Sequence, residues 1–274
     1  MRLFAATLRK LVRRPATFVT FGLLVGLLAL IYLAVGATAK QAVAANPNSG
    51  RQALLLLTFP GAYSLLLSFI LGLGGLFAMI FGAAIAGSEW TWGTLKSAVA
   101  RGESRSRYQL LSFAGIGLMV GIGLLIAFAI GILVTIVAAT LAGVPTTGLG
   151  DGPTIATFPE LLARGWLALA EACALGFTIA TLARSQLAGI GVGIAVYFGE
   201  QFAAIFLPDV VKYLPFNAAT AVVATSGSFG GGGGGGGAAL ARLDPNTALL
   251  VVAAWLIGAL VVTAVFTERA EISG

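Results

Sequence analysis

The stretch AYSLLLSFILGLGGLFAMIFGAAIA, residues 62–86, runs 25 residues without a charge, and soon after it the nineteen residues EWTWGTLKSAVARGESRSR, 89–107, carry two acids, four bases and two tryptophans. A helix of about 20 apolar residues crosses the ~30 Å hydrocarbon core of a bilayer. Lipid offers no water to a backbone N–H or C=O, so such a run must close its hydrogen bonds within itself. The stretch therefore reads as a transmembrane helix that emerges into a short, densely polar segment.

The rest of the chain has the same character. Of 274 residues, 58% are hydrophobic and 9% charged, with a mean hydropathy of +1.00. A water-soluble core cannot absorb several uncharged runs of this length. No stretch between the runs is long enough to fold as a soluble domain, so any catalytic domain is expected on another chain. Histidine is absent and Cys173 is the sole cysteine, which removes the commonest general base, an intrachain disulfide and a thiolate metal site. No metal or cofactor is expected in this chain. The formal charge of +6 comes from bases clustered at Arg2, Arg9, Lys10, Arg13 and Arg14 and at Lys96, Arg101, Arg105 and Arg107. Both clusters flank apolar spans, the pattern of loops facing anionic lipid rather than nucleic acid.

The fold class expected is an all-α integral membrane protein with six spans, at 16–39, 62–86, 108–142, 165–183, 187–206 and 247–267, in one transmembrane domain over 1–274. Residues 1–14 read as an amphipathic interfacial helix, with Phe4, Leu8, Leu11 and Val12 on one side and the bases on the other. Pro15 interrupts it. Ala37-Thr38-Ala39 resembles a signal-peptidase site, but the run is longer than a signal sequence needs, so the first span is expected to be retained. Pro60 and Gly61 mark a break, a polar loop passes Asp151 and Pro159, and Arg184-Ser185-Gln186 reads as a tight turn. Eleven basic residues lie on the side of the termini and five on the other, which predicts cytoplasmic termini. Segment 87–107 is then cytoplasmic, and 207–245 faces outward.

Loops with Lys and Arg are ordinary beside spans, and the tryptophans suit an interfacial aromatic belt. Neither explains the whole of segment 89–107. Glu89, Trp92 and Lys96 fall within about 60° of one another on a helical wheel, and Gly93 and Thr94 form a small pair beside them. Arg101-Gly102-Glu103-Ser104 signals a turn, with Ser104 as cap of the next helix. A short helix, a turn and a return into the membrane suit docking against a soluble partner.

Glu89-Trp90-Thr91-Trp92-Gly93-Thr94-Leu95-Lys96, followed by Arg101-Gly102-Glu103-Ser104-Arg105, resembles the "E, then GTL, then a basic R-x-x-S-R turn" of ATP-binding-cassette (ABC) type-2 permeases. The resemblance extends to an N-terminal elbow helix, six spans, and Leu207-Pro208 to Pro215-Phe216-Asn217, where relatives carry short outward-facing re-entrant helices. Many relatives have a lysine near the start of the third span, whereas Leu111-Ser112-Phe113 is uncharged here. The resemblance implies that 87–107 is the coupling helix seated in a separate ABC ATPase subunit, which binds ATP and Mg. Glu89 and Lys96 would then offer charged contacts, Trp90 and Trp92 apolar anchors, and Gly93, Thr94, Arg101 and Arg105 complete the segment. It also implies an exporter permease in the plasma (inner) membrane, paired with a second copy or a homologous permease. Other classes are a membrane-embedded enzyme, which would need a polar catalytic cluster, and a passive channel working without an ATPase.

Glu171 and Glu200 are the acids inside apolar runs, and an intramembrane carboxyl is a functional residue by default. Lying 13 and 16 residues from Arg184, they are expected at similar depth on adjacent helices, as part of a substrate pathway suited to cationic or amphipathic cargo. The alternative is one protonated carboxyl and one bonded to polar neighbours such as Tyr197 and Gln201. The eight glycines at 230–237 are followed by Ala238 with no lysine, so they form no phosphate loop and read as a flexible outer linker. Gly22-x-x-x-Gly26, Gly117-x-x-x-Gly121 and Gly189-x-x-x-Gly193 are small faces that favour helix packing within the bundle. Glu160 and Arg164 suit an i,i+4 ion pair.

Overall fold

In the computed structural model, residues 2–100, 102, 104–223 and 243–269 are described, and none of them is in a strand. The chain begins with α1 (Arg2–Val12), the long α2 (Pro15–Ala45) and a short α3 (Pro47–Leu55). Next come α4 (Gly61–Thr91), the six-residue α5 (Thr94–Val99) and α6 (Arg105–Ala142). A 3-10 turn (Thr147–Gly150) and α7 (Gly152–Ala156) lead to α8 (Phe158–Ala183), and α9 (Gln186–Phe206) doubles back from it. Two short helices, α10 (Pro208–Val211) and α11 (Pro215–Ala221), precede α12 (Pro245–Arg269). The glycine run at 230–237 lies outside the described residues.

Proline starts many of these helices: Pro15, Pro47, Pro208, Pro215 and Pro245 each stand at the first position and Pro159 at the second. Its fixed φ fits the first turn, where its missing N–H would have no intrahelical partner. Hence the fourth span begins at Phe158 rather than at 165, with Pro159 inside the helix and not in a loop. Ser104 holds the N-cap position of α6 but makes no side-chain cap bond. Arg164 and Glu160 form the expected pair at 2.7 Å.

Six helices, α2, α4, α6, α8, α9 and α12, are long and apolar enough to cross a membrane. The chain is a multi-pass membrane protein of all-helical architecture. Its centre is the α4–α8 pair, the two most buried spans, with α2, α6, α9 and α12 around them. The outer helices leave Leu30, Leu187, Phe202, Ile205 and Leu250 exposed, an apolar surface that water would not tolerate and lipid would.

Glycine lets the central helices touch. A Cβ on Gly82 would lie 2.2 Å from the Cys173 carbonyl oxygen, and one on Gly176 would lie 2.0 Å from that of Met79. Without hydrophobic force between helices in lipid, such backbone approach and interhelical hydrogen bonds hold a bundle. Thr178 Oγ1 supplies the latter, 2.8 Å from Thr263 Oγ1 and donating to the Ala259 carbonyl of α12 at 3.0 Å. Gly189 and Gly193 meet Ala180 and Met79, so that pair packs inside the bundle as expected. Gly121 seats the Trp166 ring, whose Nε1 donates to the Gly117 carbonyl at 2.7 Å. Gly22 and Gly26 meet nothing within 4 Å.

Candidate functional site

Two sites emerge, one where α4 leaves the bundle and one within the spans. At the first, α4 ends beside the start of α6 and the end of α1. Glu89, on the last turn of α4, is 1% exposed. Its Oε1 accepts from Lys10 Nζ of α1 at 3.3 Å, and from Tyr108 OH at 3.3 Å and Ser112 Oγ at 3.0 Å on α6. One carboxylate therefore pins three helices together, and its charge makes each bond stronger than a neutral one. Neighbouring Ser88 accepts from Arg14 Nη1 at 2.7 Å, and the Arg14 guanidinium lies 4.9 Å from the centre of the Trp92 ring. Burial pulls the Arg14 pKa below its ordinary value, and the charge on Glu89 opposes that pull.

Glu89 was expected to offer its charge to a partner. The structure turns that side chain inward, where Oε1 meets Lys10 and the α6 hydroxyls and Oε2 is buried without a partner. Periodicity could not show this, because the face that α4 buries is set by α1 and α6, which are distant in sequence from it. Trp90 is half-buried, with Arg184 stacked 5.2 Å above its ring. Trp92, by contrast, is 66% exposed and ends α4.

Gly93 has φ +63, a left-handed conformation that glycine adopts freely, and it turns the chain into α5. Thr94 Oγ1 donates back to the Glu89 carbonyl at 3.2 Å, which fastens the start of α5 to the end of α4. Trp92, Gly93 and Thr94 thus form a continuous tip. Arg105 opens α6 and is half-buried. The Lys96 side chain and Arg101 lie outside the described residues, as does the Phe4 side chain of α1. Leu11 of α1 is fully buried and Thr7 packs on Gly115 of α6, whereas Val12 is exposed rather than sharing the apolar face.

The second site lies toward the end of the bundle that carries α11. Glu171 of α8 is fully buried, and neither carboxyl oxygen has a hydrogen-bond partner. Glu200 of α9 is 4% exposed. Its Oε2 accepts from the Phe216 N–H at 3.1 Å, the Asn217 N–H at 3.2 Å and Asn217 Nδ2 at 3.1 Å, all at the start of α11. Its Oε1 has no partner. Helices α8 and α9, which carry the two glutamates, pack against one another.

Glu200's partners differ from those expected. Tyr197 donates instead to the Gly72 carbonyl of α4 at 3.1 Å. The sequence signal for α11 was Pro215 followed by Phe216-Asn217, but nothing in it announced that a membrane carboxyl would cap that segment. Phe216 packs edge-on to Tyr197 with centroids 5.0 Å apart and is almost fully buried, so α11 is wedged among α4, α8, α9 and α12. By insertion measurements an ionisable residue at a helix centre costs about 2.5–3.5 kcal/mol, and here the compensation is incomplete.

No family model matches the chain, and no curated protein sequence matches it. The class that fold and sites define is a six-span helical membrane protein with a polar knot where α4 leaves the bundle and two buried carboxyls within the spans.

Proposed function

We propose that this chain is the transmembrane permease subunit of an ABC exporter, forming the substrate pathway and drawing work from a separate ATPase subunit. What carries the reading is the construction around Glu89: an exposed Trp92 and the half-buried Gly93 and Thr94 lead into α5, directly beside a carboxylate that joins α1, α4 and α6. A push on that tip is passed to three helices at once, as coupling of nucleotide binding to rocking of a bundle requires. In this reading α5 is the coupling helix, α1 the elbow, and the partner holds ATP and Mg. A second permease copy or a homologue completes the pathway, the membrane is the plasma (inner) membrane, and both termini are cytoplasmic. No ATP chemistry falls to this chain.

Trp92 separates docking from folding. Trp92→Ala is expected to reduce capture of the ATPase by about tenfold, as loss of a central aromatic anchor does. The melting temperature should fall only slightly, since the exposed stack on Arg14 is worth about 0.5–1 kcal/mol. Quantitative co-purification from native membranes, with a thermal melt on the same samples, checks both. Undiminished capture, or a chain fully active with no ATPase, would turn the reading toward a channel or a membrane enzyme. Labelling of residues 92–94 from outside the cell would overturn it directly.

A further inference from the structure

We propose that the chain holds one anionic phospholipid at a defined site, with an acyl chain laid in a cleft among α2, α4 and α6 and the phosphate on Arg9 and Arg13 of α1. The cleft takes in about 530 Å³, open side included, and its walls are apolar but for two threonine hydroxyls. Half-buried Thr17 and Phe21 of α2 and Gly123 of α6 stand at its rim, while buried Ile70 and Phe81 of α4 and Leu169 of α8 form its floor.

Shape selects the tail. From Ile70 to Phe81 the floor runs about 16 Å along a spanning helix, the direction in which acyl chains lie. Spread over that length, the volume makes a channel at most about 6–7 Å wide, room for a hydrocarbon chain with carbon contacts of about 4 Å but not for a second helix about 10 Å across. An unfilled cleft forfeits dispersion contacts along its walls, and in a bilayer the filler at hand is a lipid tail.

Charge selects the headgroup. Thr17 Oγ1 donates to the Leu11 carbonyl at 2.8 Å, which ties the rim of the cleft to the last turn of α1. Arg9 belongs to that turn and Arg13 stands one turn further on, its N–H on the Arg9 carbonyl, and both side chains are exposed. Lys10 is engaged by Glu89 and Arg14 by Ser88, but among the described residues no acid pairs with Arg9 or Arg13. A tail in the cleft leaves its phosphate at this elbow, where two arginines at the membrane surface attract an anionic headgroup and can bond its oxygens. The site needs neither an ATPase nor transport.

The test titrates the purified full chain in detergent with dioleoyl-phosphatidylglycerol, dioleoyl-phosphatidylcholine or glycerol phosphate, and counts bound molecules by native mass spectrometry. One phosphatidylglycerol per chain is expected to bind at least about tenfold tighter than phosphatidylcholine at low salt, with the preference shrinking as salt is raised. Glycerol phosphate, a headgroup without a tail, should not bind. Arg9→Gln combined with Arg13→Gln, two changes at exposed positions, should bring phosphatidylglycerol down to the level of phosphatidylcholine at an unchanged melting temperature. Gly123→Leu, whose Cβ would meet only the Phe21 ring at 3.7 Å, takes up room in the cleft and should weaken the binding of both lipids. Equal affinity for the two lipids, a preference that survives the arginine changes, binding of glycerol phosphate without a tail, or affinity untouched by Gly123→Leu would each overturn the proposal. So would a dimer, seen by size exclusion, that Gly123→Leu abolishes, since a second copy would then own the cleft. If Gly123→Leu fails to fold, the headgroup comparison on the unaltered chain and the arginine changes decide. None of these outcomes bears on capture of the ATPase, which Trp92→Ala tests separately.

Discussion

Exchange of Glu89 for lysine should leave little folded protein to recover. The substitution removes the carboxylate that joins α1, α4 and α6 and sets a third cation beside Lys10 and Arg14 in a site that is 1% exposed. Removing one partner of a buried ion pair costs about 3–5 kcal/mol. For the milder Glu89→Ala the lower end applies, about 3 kcal/mol, because the Lys10 ammonium keeps some contact with water. Glu89→Gln retains acceptors for Tyr108 and Ser112 and should lose less. The swapped pair Lys10→Glu with Glu89→Lys should regain part of what Glu89→Lys loses. Thermal unfolding in detergent, followed by size-exclusion recovery, orders the four variants. A Glu89→Lys chain melting like the wild type would show that the knot does not hold the bundle. For the same reason charge reversal at Glu89 is a poor probe of ATPase docking, and Trp92 is the better one.

Gly176→Val is expected to be the most disruptive single change within the spans. The added Cβ would stand 2.0 Å from the Met79 carbonyl oxygen, a backbone atom that no rotamer change can move aside. The α4–α8 axis must part or shift, and overpacking of that kind costs about 3 kcal/mol or more. Gly22→Val is the matched control, since nothing lies within 4 Å of Gly22, and it should leave the melt of the isolated chain unchanged. Equal melting of both variants would refute the close crossing.

Much of the architecture could be read from residue order. The six spans follow from hydropathy because lipid forces each run to satisfy its own backbone, a local requirement. Pro60-Gly61 and Arg184-Ser185 fall where the helices break, again for local reasons, and Arg184 takes the left-handed conformation there, at φ 51. The sequence alone puts the start of α8 too late, because Pro159 reads as a loop residue although proline is equally at home in a first turn. Helix α3 went unforeseen, since Pro47–Leu55 has no long apolar period to betray it.

The sites divide along the same line. Composition alone singled out Glu89, Glu171 and Glu200, because a carboxyl within or beside a span is rare enough to notice. What each carboxyl does depended on side chains tens of residues away. Lys10 and Ser112 close around Glu89 and withdraw it from the surface, while the backbone of Phe216 and Asn217 caps one oxygen of Glu200 and Glu171 is buried without a donor. Hydropathy is a sum over neighbours along the chain, so order in the sequence determined the spans. Hydrogen bonding and burial are relations between helices, and only their packing decided which carboxyl oxygens found donors and which did not.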